Sequence, residues 1–335
     1  MPKRLVICCD GTWNTPNQAM LTNVARMAQA VLPTARDGTA QPVFYDWGVG
    51  TERGLDRWLG GAFGQGLLRN VEDGYRAVVH NFEEGDDLYV FGFSRGAFTA
   101  RSLVGLIRNC GVLLKRRAHM VQQAIAMYRS PGFHPDDPES RRFREENARE
   151  IDVHFIGVWD TVGSLGIPLR GLHVLTRRKH QFHDVELSGI VKNAYHALAI
   201  DEQRWPFRPA VWKAIDKPDQ TIEQVWFTGV HSDIGGGYAE PGLADVALMW
   251  MAEKAIACGL DLDLGYLSEV AHPDPMGVLH DSRTGVYRWL RPHLRTIDDG
   301  NGANESVSEA AMRRLRESEG YAPRNLVEYV ERRRA

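Results

Sequence analysis

Apolar residues in this chain gather in short, nearly uniform runs, separated by longer stretches that are apolar on one face only. The runs lie at Leu5–Cys9, Val43–Trp47, Leu88–Phe93, Val153–Trp159 and Val225–Thr228. Runs of this length with no polar alternation suit strands of a parallel sheet covered on both faces, since a half-wet strand would alternate. Between them the spacing predicts helices over Asn23–Leu32, Leu67–Phe82 and Phe98–Ile107, the last with Phe98, Leu103, Leu106 and Ile107 on one buried face. Alternating strand and helix predicts an open α/β sheet, mainly parallel, with helices on both faces. Such sheets bind ligands at the carboxyl ends of their strands. The residues just past those ends are Asp10-Gly11-Thr12-Trp13, Gly48-Val49-Gly50-Thr51, Ser94, Asp160-Thr161 and His231-Ser232-Asp233.

Three stretches break the pattern. Gly54–Gly66 is rich in glycine but lacks the Gly-Lys-Ser/Thr ending of a phosphate loop, and reads as a mobile loop over the pocket. Residues 129–150, rich in Pro, Asp, Glu and Arg, read as an exposed excursion, and residues 162–183 as an irregular insertion beside the site. Neither has the character of a domain linker, so a single domain over residues 1–335 with two insertions is expected.

Composition narrows the class. With 335 residues, 43% hydrophobic and 25% charged, the chain can bury one large core and shows no sign of disorder. A formal net charge of -3 and scattered basic clusters give no field for nucleic acid. Cys8, Cys9, Cys110 and Cys258 have neither metal-site spacing nor disulfide density, and Cys8 and Cys9 read as reduced core thiols. The basic start Met1-Pro2-Lys3-Arg4 is followed by an apolar run that ends at Asp10, too short for a signal-peptide core. No window reaches the roughly 18 apolar residues of a membrane span. A cytoplasmic protein, or one exported by a route that needs no signal peptide, is therefore expected.

The chemistry concentrates at Gly92-Phe93-Ser94-Arg95-Gly96, a G-x-S-x-G motif with a strand before it and a helix after it. That context is a nucleophile elbow: small residues at the flanking positions let the backbone double back and hold the serine above the sheet. A serine hydroxyl needs a base to take its proton, and the base is commonly a histidine oriented by a carboxylate. Asp160 and His231 follow later strands in the order serine, acid, histidine that α/β-hydrolases use. Asp201 is the reserve acid; Asp233 is too near His231 in sequence. The amide of Arg95 is the first candidate oxyanion donor, and Gly11 or Thr12 supplies the second if the first strand lies beside the elbow strand. Asp10 is expected to brace that turn by accepting backbone amides.

Two other classes stay open on the same residues. Asp10, Asp160, His231 and Asp233 could serve a metal-dependent hydrolase, since carboxylates and imidazole at strand ends also suit a divalent ion. A catalytically silent binding module on the same fold is the other.

The set Cys9–Asn14, Gly92–Ala97, Gly157–Gly163 and Gly229–Tyr238, with Ala197–Arg204 and Tyr321–Leu326, resembles an α/β-hydrolase family that includes the catalytic domains of some phospholipase effectors of type VI secretion. The resemblance spans nearly the whole chain. It implies a Ser-Asp-His hydrolase of ester bonds, lipid or phospholipid esters among them, with Ser94, Asp160 and His231 at the triad positions and no cofactor or metal. Trp13 and Asp10 would then flank the pocket. Because the chain ends soon after Asn325-Leu326, the appended C-terminal membrane-binding region of those effectors is not expected.

Overall fold

Among the described residues, seven strands of the computed structural model form one sheet in the order β2-β1-β3-β6-β7-β8-β9, every neighbouring pair parallel. They are β1 (Arg4–Cys9), β2 (Val43–Asp46), β3 (Asp87–Phe93), β6 (Val153–Trp159), β7 (Val191–Ala199), β8 (Thr221–Phe227) and β9 (Glu305–Val307). A separate antiparallel pair joins β4 (Val112–Leu113) to β5 (Ala148–Arg149). The structure describes residues 1–11, 20–48, 60–130, 132–162, 187–213, 218–298 and 304–334.

Parallel steps demand crossovers, and several of the helices among the described residues supply them. They are α1 (Asn23–Ala30), α2 (Gly60–Asn81), α3 (Arg95–Cys110), α4 (Val121–Tyr128), α5 (Pro138–Asn147), α6 (His231–Gly235), α7 (Gly242–Ala257), α8 (Leu264–Val270), α9 (Glu309–Glu317) and α10 (Arg324–Arg334). The alternation of strand side chains divides the core in two. Leu5, Ile7, Leu88 and Val90 face a layer with Tyr75, Val78, Leu103 and Ile107 of α2 and α3. Val6, Cys8, Tyr89 and Phe91 face Val24 and Met27 of α1 and Leu248 and Met251 of α7. Both faces are thus dry, which is why β1 and β3 carry no polar alternation. This is the mainly parallel, doubly covered α/β-hydrolase-like sheet that the sequence predicts.

Chain order runs outward from β1 to β2, then returns to β3 on the other side and continues to β9. The reversal opens a crevice between the carboxyl ends of β1 and β3, the usual ligand position in such a sheet. Asp10 and Ser94 stand on its two sides.

Several sequence expectations need correction. Strand β7 and the first half of β8 carry Lys192, Asn193, His196, Glu223 and Gln224 among their apolar residues, and this polar content hides them from a search for apolar runs. Helix α7 is apolar on most sides, so it lacks the one-faced spacing that marks a helix. Residues 60–66, expected as part of a mobile loop, open α2; residues 51–59 lie outside the described residues. Residues 129–150 are more than an exposed excursion: α5 buries Phe143 and Ser140, and Ser140 Oγ donates to Asn109 O at 2.6 Å at the end of α3. Of the insertion expected at 162–183, only Val162 is among the described residues.

Candidate active site

The sheet ladder continues past the strand ends and fixes the site's framework. Ser94 N donates to Trp159 O at 3.1 Å, and Asp160 N to Ala197 O at 2.8 Å. Ser94 and Asp160 therefore stand side by side on adjacent strands. Both also have left-handed backbone, with φ of 58° at Ser94 and 38° at Asp160, a conformation that costs a non-glycine residue of order 1–3 kcal/mol and clusters at functional sites.

The elbow needs its glycines for contact. A Cβ on Gly96 would stand 2.0 Å from the Cys9 carbonyl oxygen, and one on Gly92 would stand 2.6 Å from the Gly96 oxygen. Helix α3 can leave the sheet this steeply, with its N-terminus against the end of β1, only because both positions lack a side chain.

His231 begins α6, and its ring bridges the two strand ends. Nδ1 donates to Asp160 Oδ2 at 2.5 Å, which leaves Nε2 to accept from Ser94 Oγ at 2.8 Å. The ring lies between Phe93, with centroids 4.7 Å apart, and Phe207, at 4.9 Å. A Cβ on Gly235 would meet the Phe93 ring at 2.0 Å, so this glycine lets α6 rest on the elbow phenylalanine. Gly235 is also the last residue of this short helix, and Gly236 caps it.

Asp160 is wholly buried, and four donors satisfy it. Besides His231, Ala199 N donates to Oδ1 at 3.0 Å, and Arg295 grips both oxygens, Nη1 to Oδ1 at 2.6 Å and Nη2 to Oδ2 at 3.0 Å. Burial pushes the carboxyl up, but the Arg295 charge and the His231 hydrogen bond outweigh it and hold the group well below the usual carboxylate range. Asp160 is thus an ionised buried carboxylate with a full hydrogen-bond shell.

The reserve acids serve other partners. Asp201 Oδ2 accepts from Gly229 N at 2.7 Å and from the Tyr321 hydroxyl at 3.0 Å. Asp233 accepts from Val230 N at 3.0 Å and from His280 Nδ1 at 2.6 Å. Neither reaches the His231 ring. Asp10 accepts from Gly11 N at 2.6 Å and from the hydroxyls of Thr22 and Tyr45. The Gly11 amide, expected as an oxyanion donor, is thus turned onto the Asp10 carboxylate beside it. Thr12 and Trp13 lie outside the described residues. Arg95 is the first residue of α3, so its amide belongs to the turn whose N–H groups have no partner within the helix.

The four residues of the metal alternative are not brought together. Asp10 and Asp233 spend their oxygens on the partners above, and among the described residues no three His, Cys, Asp or Glu side chains converge as a metal site.

Two residues of this constellation escaped the sequence. Arg295 sits in a run with other arginines, 135 positions from its carboxylate, and no motif singles it out. Glu202 is buried; its Oε2 accepts from His231 N at 3.2 Å, and its Oε1 accepts from Ser282 Oγ at 2.9 Å. Its position within the Ala197–Arg204 block was the available signal.

Comparison with known proteins places the chain in a family. The family model described as the type VI secretion (T6SS) phospholipase effector Tle1-like catalytic domain matches residues 3–254. An uncharacterised Saccharomyces cerevisiae protein, YEL023C, is 29% identical over 229 residues, covering 62% of this chain and 32% of that protein. Among solved structures, a Tle1 effector bound to the VgrG spike of a type VI secretion system aligns with a TM-score of 0.45 at 18% identity, over 71% of this chain and 52% of that one. An uncharacterised Pseudomonas aeruginosa protein aligns with a TM-score of 0.42 at 18% identity, over 78% and 46%. The chain thus spans between about a third and about half of the length of these relatives.

Proposed function

This chain belongs to the Tle1-like phospholipase effector catalytic-domain family, and on that premise we propose that it is a serine hydrolase of carboxylic esters, with lipid esters as its substrate class. The observation that carries this proposal is the continuous relay from Ser94 Oγ through the His231 ring to Asp160, at 2.8 Å and 2.5 Å. In the proposed reaction His231 Nε2 takes the Ser94 proton as Oγ attacks the ester carbonyl. The oxyanion forms against the Arg95 amide at the start of α3, where the helix dipole also favours negative charge. Asp160 keeps Nδ1 protonated and stabilises the imidazolium, which then passes its proton to the departing alcohol. Water, deprotonated by the same histidine, releases the acyl group and restores Ser94.

Intact mass after treatment with a fluorophosphonate tests the nucleophile. The wild-type chain should gain one adduct and Ser94→Ala none; an adduct on Ser94→Ala refutes the assignment. Because nucleophile and base act as a unit, Ser94→Ala, His231→Ala and the double variant should lose similar amounts of esterase turnover.

A further inference from the structure

Trp289 has 88% of its surface exposed, more than any other tryptophan among the described residues. Leu290 and Leu294 beside it are exposed at 43% and 42%. Three large apolar side chains left in water on one short stretch forgo the stabilisation of burial, and such clusters on a folded surface mark a binding face. The stretch reads Arg288-Trp289-Leu290-Arg291-Pro292-His293-Leu294 and lies beyond the residues matched to the family.

Its backbone is held from several sides. Arg283 Nη2 donates to Leu290 O at 2.9 Å, His293 N donates to Gln203 O at 2.8 Å, and Arg295 at the far end donates to Ala199 O at 2.9 Å while gripping Asp160. The apolar side chains are therefore displayed from an anchored segment. Arg288 and Arg291 alternate with them; both are exposed, and neither side chain has an ion-pair partner among the described residues.

The display borders the candidate active site. Phe207, whose ring lies 4.9 Å from that of His231, is 6.4 Å from Tyr287, next to Arg288 in the chain. Trp205, 44% exposed, belongs to the same 3-10 turn as Phe207.

Tryptophan and leucine enter the headgroup boundary of a bilayer, and unpaired arginines between them meet lipid phosphates. We propose that residues 288–294 dock this chain on an anionic lipid surface, with the His231 edge of the site turned toward the lipid. The charge pattern selects this occupant: two cations without ion-pair partners among the described residues stand on the apolar patch of a chain whose net charge is -3. Among the described residues no helix is long and apolar enough to cross a membrane, and a surface patch needs none.

The link to catalysis rests on the proposed esterase function, but docking is tested apart from it. In the Ser94→Ala background, which spares the lipid, the full chain is floated with vesicles of phosphatidylcholine, alone or with about a third phosphatidylglycerol to supply negative charge. The parent should float with the anionic vesicles. Adding Trp289→Ser/Leu290→Ser should lower partitioning at least roughly tenfold, and Arg288→Gln/Arg291→Gln should lower it roughly thirtyfold on the anionic vesicles alone. A parent that stays at the bottom with anionic vesicles overturns the proposal, as does a Trp289→Ser/Leu290→Ser chain that floats like its parent. Self-association abolished by Trp289→Ser, with no flotation, would give the patch to a second copy and also overturn it. Turnover of a water-soluble short-chain ester by the same substitutions in the Ser94 background reports the fold. If the apolar pair loses that turnover, the arginine pair, which touches no core, decides. Failure of the nucleophile assignment would appear in fluorophosphonate labelling and leave flotation unchanged.

Discussion

Replacing Asp160 by asparagine should cost far more than a change of one atom suggests, and the structure shows why. Oδ2 accepts from His231 Nδ1 and Arg295 Nη2, and Oδ1 accepts from Arg295 Nη1 and Ala199 N. An amide nitrogen placed at either position meets two donors. If it faces His231, the ring is driven to the tautomer whose Nε2 carries the proton and can no longer accept from Ser94. In either orientation residue 160 has lost its charge, so the Arg295 guanidinium loses its ionised partner and opposes the imidazolium that catalysis must form. The first effect alone is worth about ten-thousand-fold in turnover, about 5 kcal/mol of transition-state stabilisation. The second is a loss of stability, because Arg295 and Asp160 side chains are 1% and 0% exposed and breaking a buried pair costs about 3–5 kcal/mol. The double variant Asp160→Asn/Arg295→Met then discriminates. Removing the orphaned guanidinium should return part of the stability, less about 1–3 kcal/mol for the buried Ala199 carbonyl that loses its donor. It should relieve the opposition to the imidazolium but leave unrestored the about ten-thousand-fold that the wrong tautomer costs. Initial rates on a short-chain nitrophenyl ester and urea unfolding midpoints measure the two quantities. Turnover by Asp160→Asn within tenfold of wild type, or an Asp160→Asn chain that unfolds at the wild-type midpoint, refutes the reasoning.

Two further outcomes follow from single residues. Gly96→Ala should lower the unfolding free energy by about 1–3 kcal/mol or more and reduce turnover with it, since the new Cβ meets the carbonyl oxygens of Cys9 and Asp10 at 2.0 Å and 2.5 Å; a chain with wild-type midpoint and rate would show that the β1–α3 approach can relax. Burial raises the Asp201 carboxyl to about 6, above its unfolded value of about 3.9, and a raised carboxyl favours the fold only while protonated, so its contribution should fall as pH climbs from about 4 to about 6. Asp201→Asn keeps an oxygen for Gly229 N and Tyr321, so it should flatten that part of the midpoint-against-pH curve while changing turnover by less than about tenfold; an unchanged slope would refute the assignment.

The sequence alone determined what depends on local pattern. Dry strands must be uniformly apolar, so β1, β3 and β6 announced themselves, and with them the strand-end positions of Asp10, Ser94 and Asp160. The elbow was legible because its glycines answer a contact made within a few residues and against the adjoining strand. The preference for Asp160 over Asp201 and Asp233 rested on chain order; the hydrogen bond to His231 was decided by the side-by-side placement of β3 and β6, whose ends the ring bridges and which chain order does not encode. Tertiary structure also recruited β7, whose polar residues pair with the packed elements around it, and turned the Gly11 amide onto Asp10 and away from the expected oxyanion role. Above all it delivered Arg295 to Asp160. A buried carboxylate requires a partner, but the charge can come from any of the chain's 40 lysines and arginines, and only the folded path of residues 285–295 selects which one.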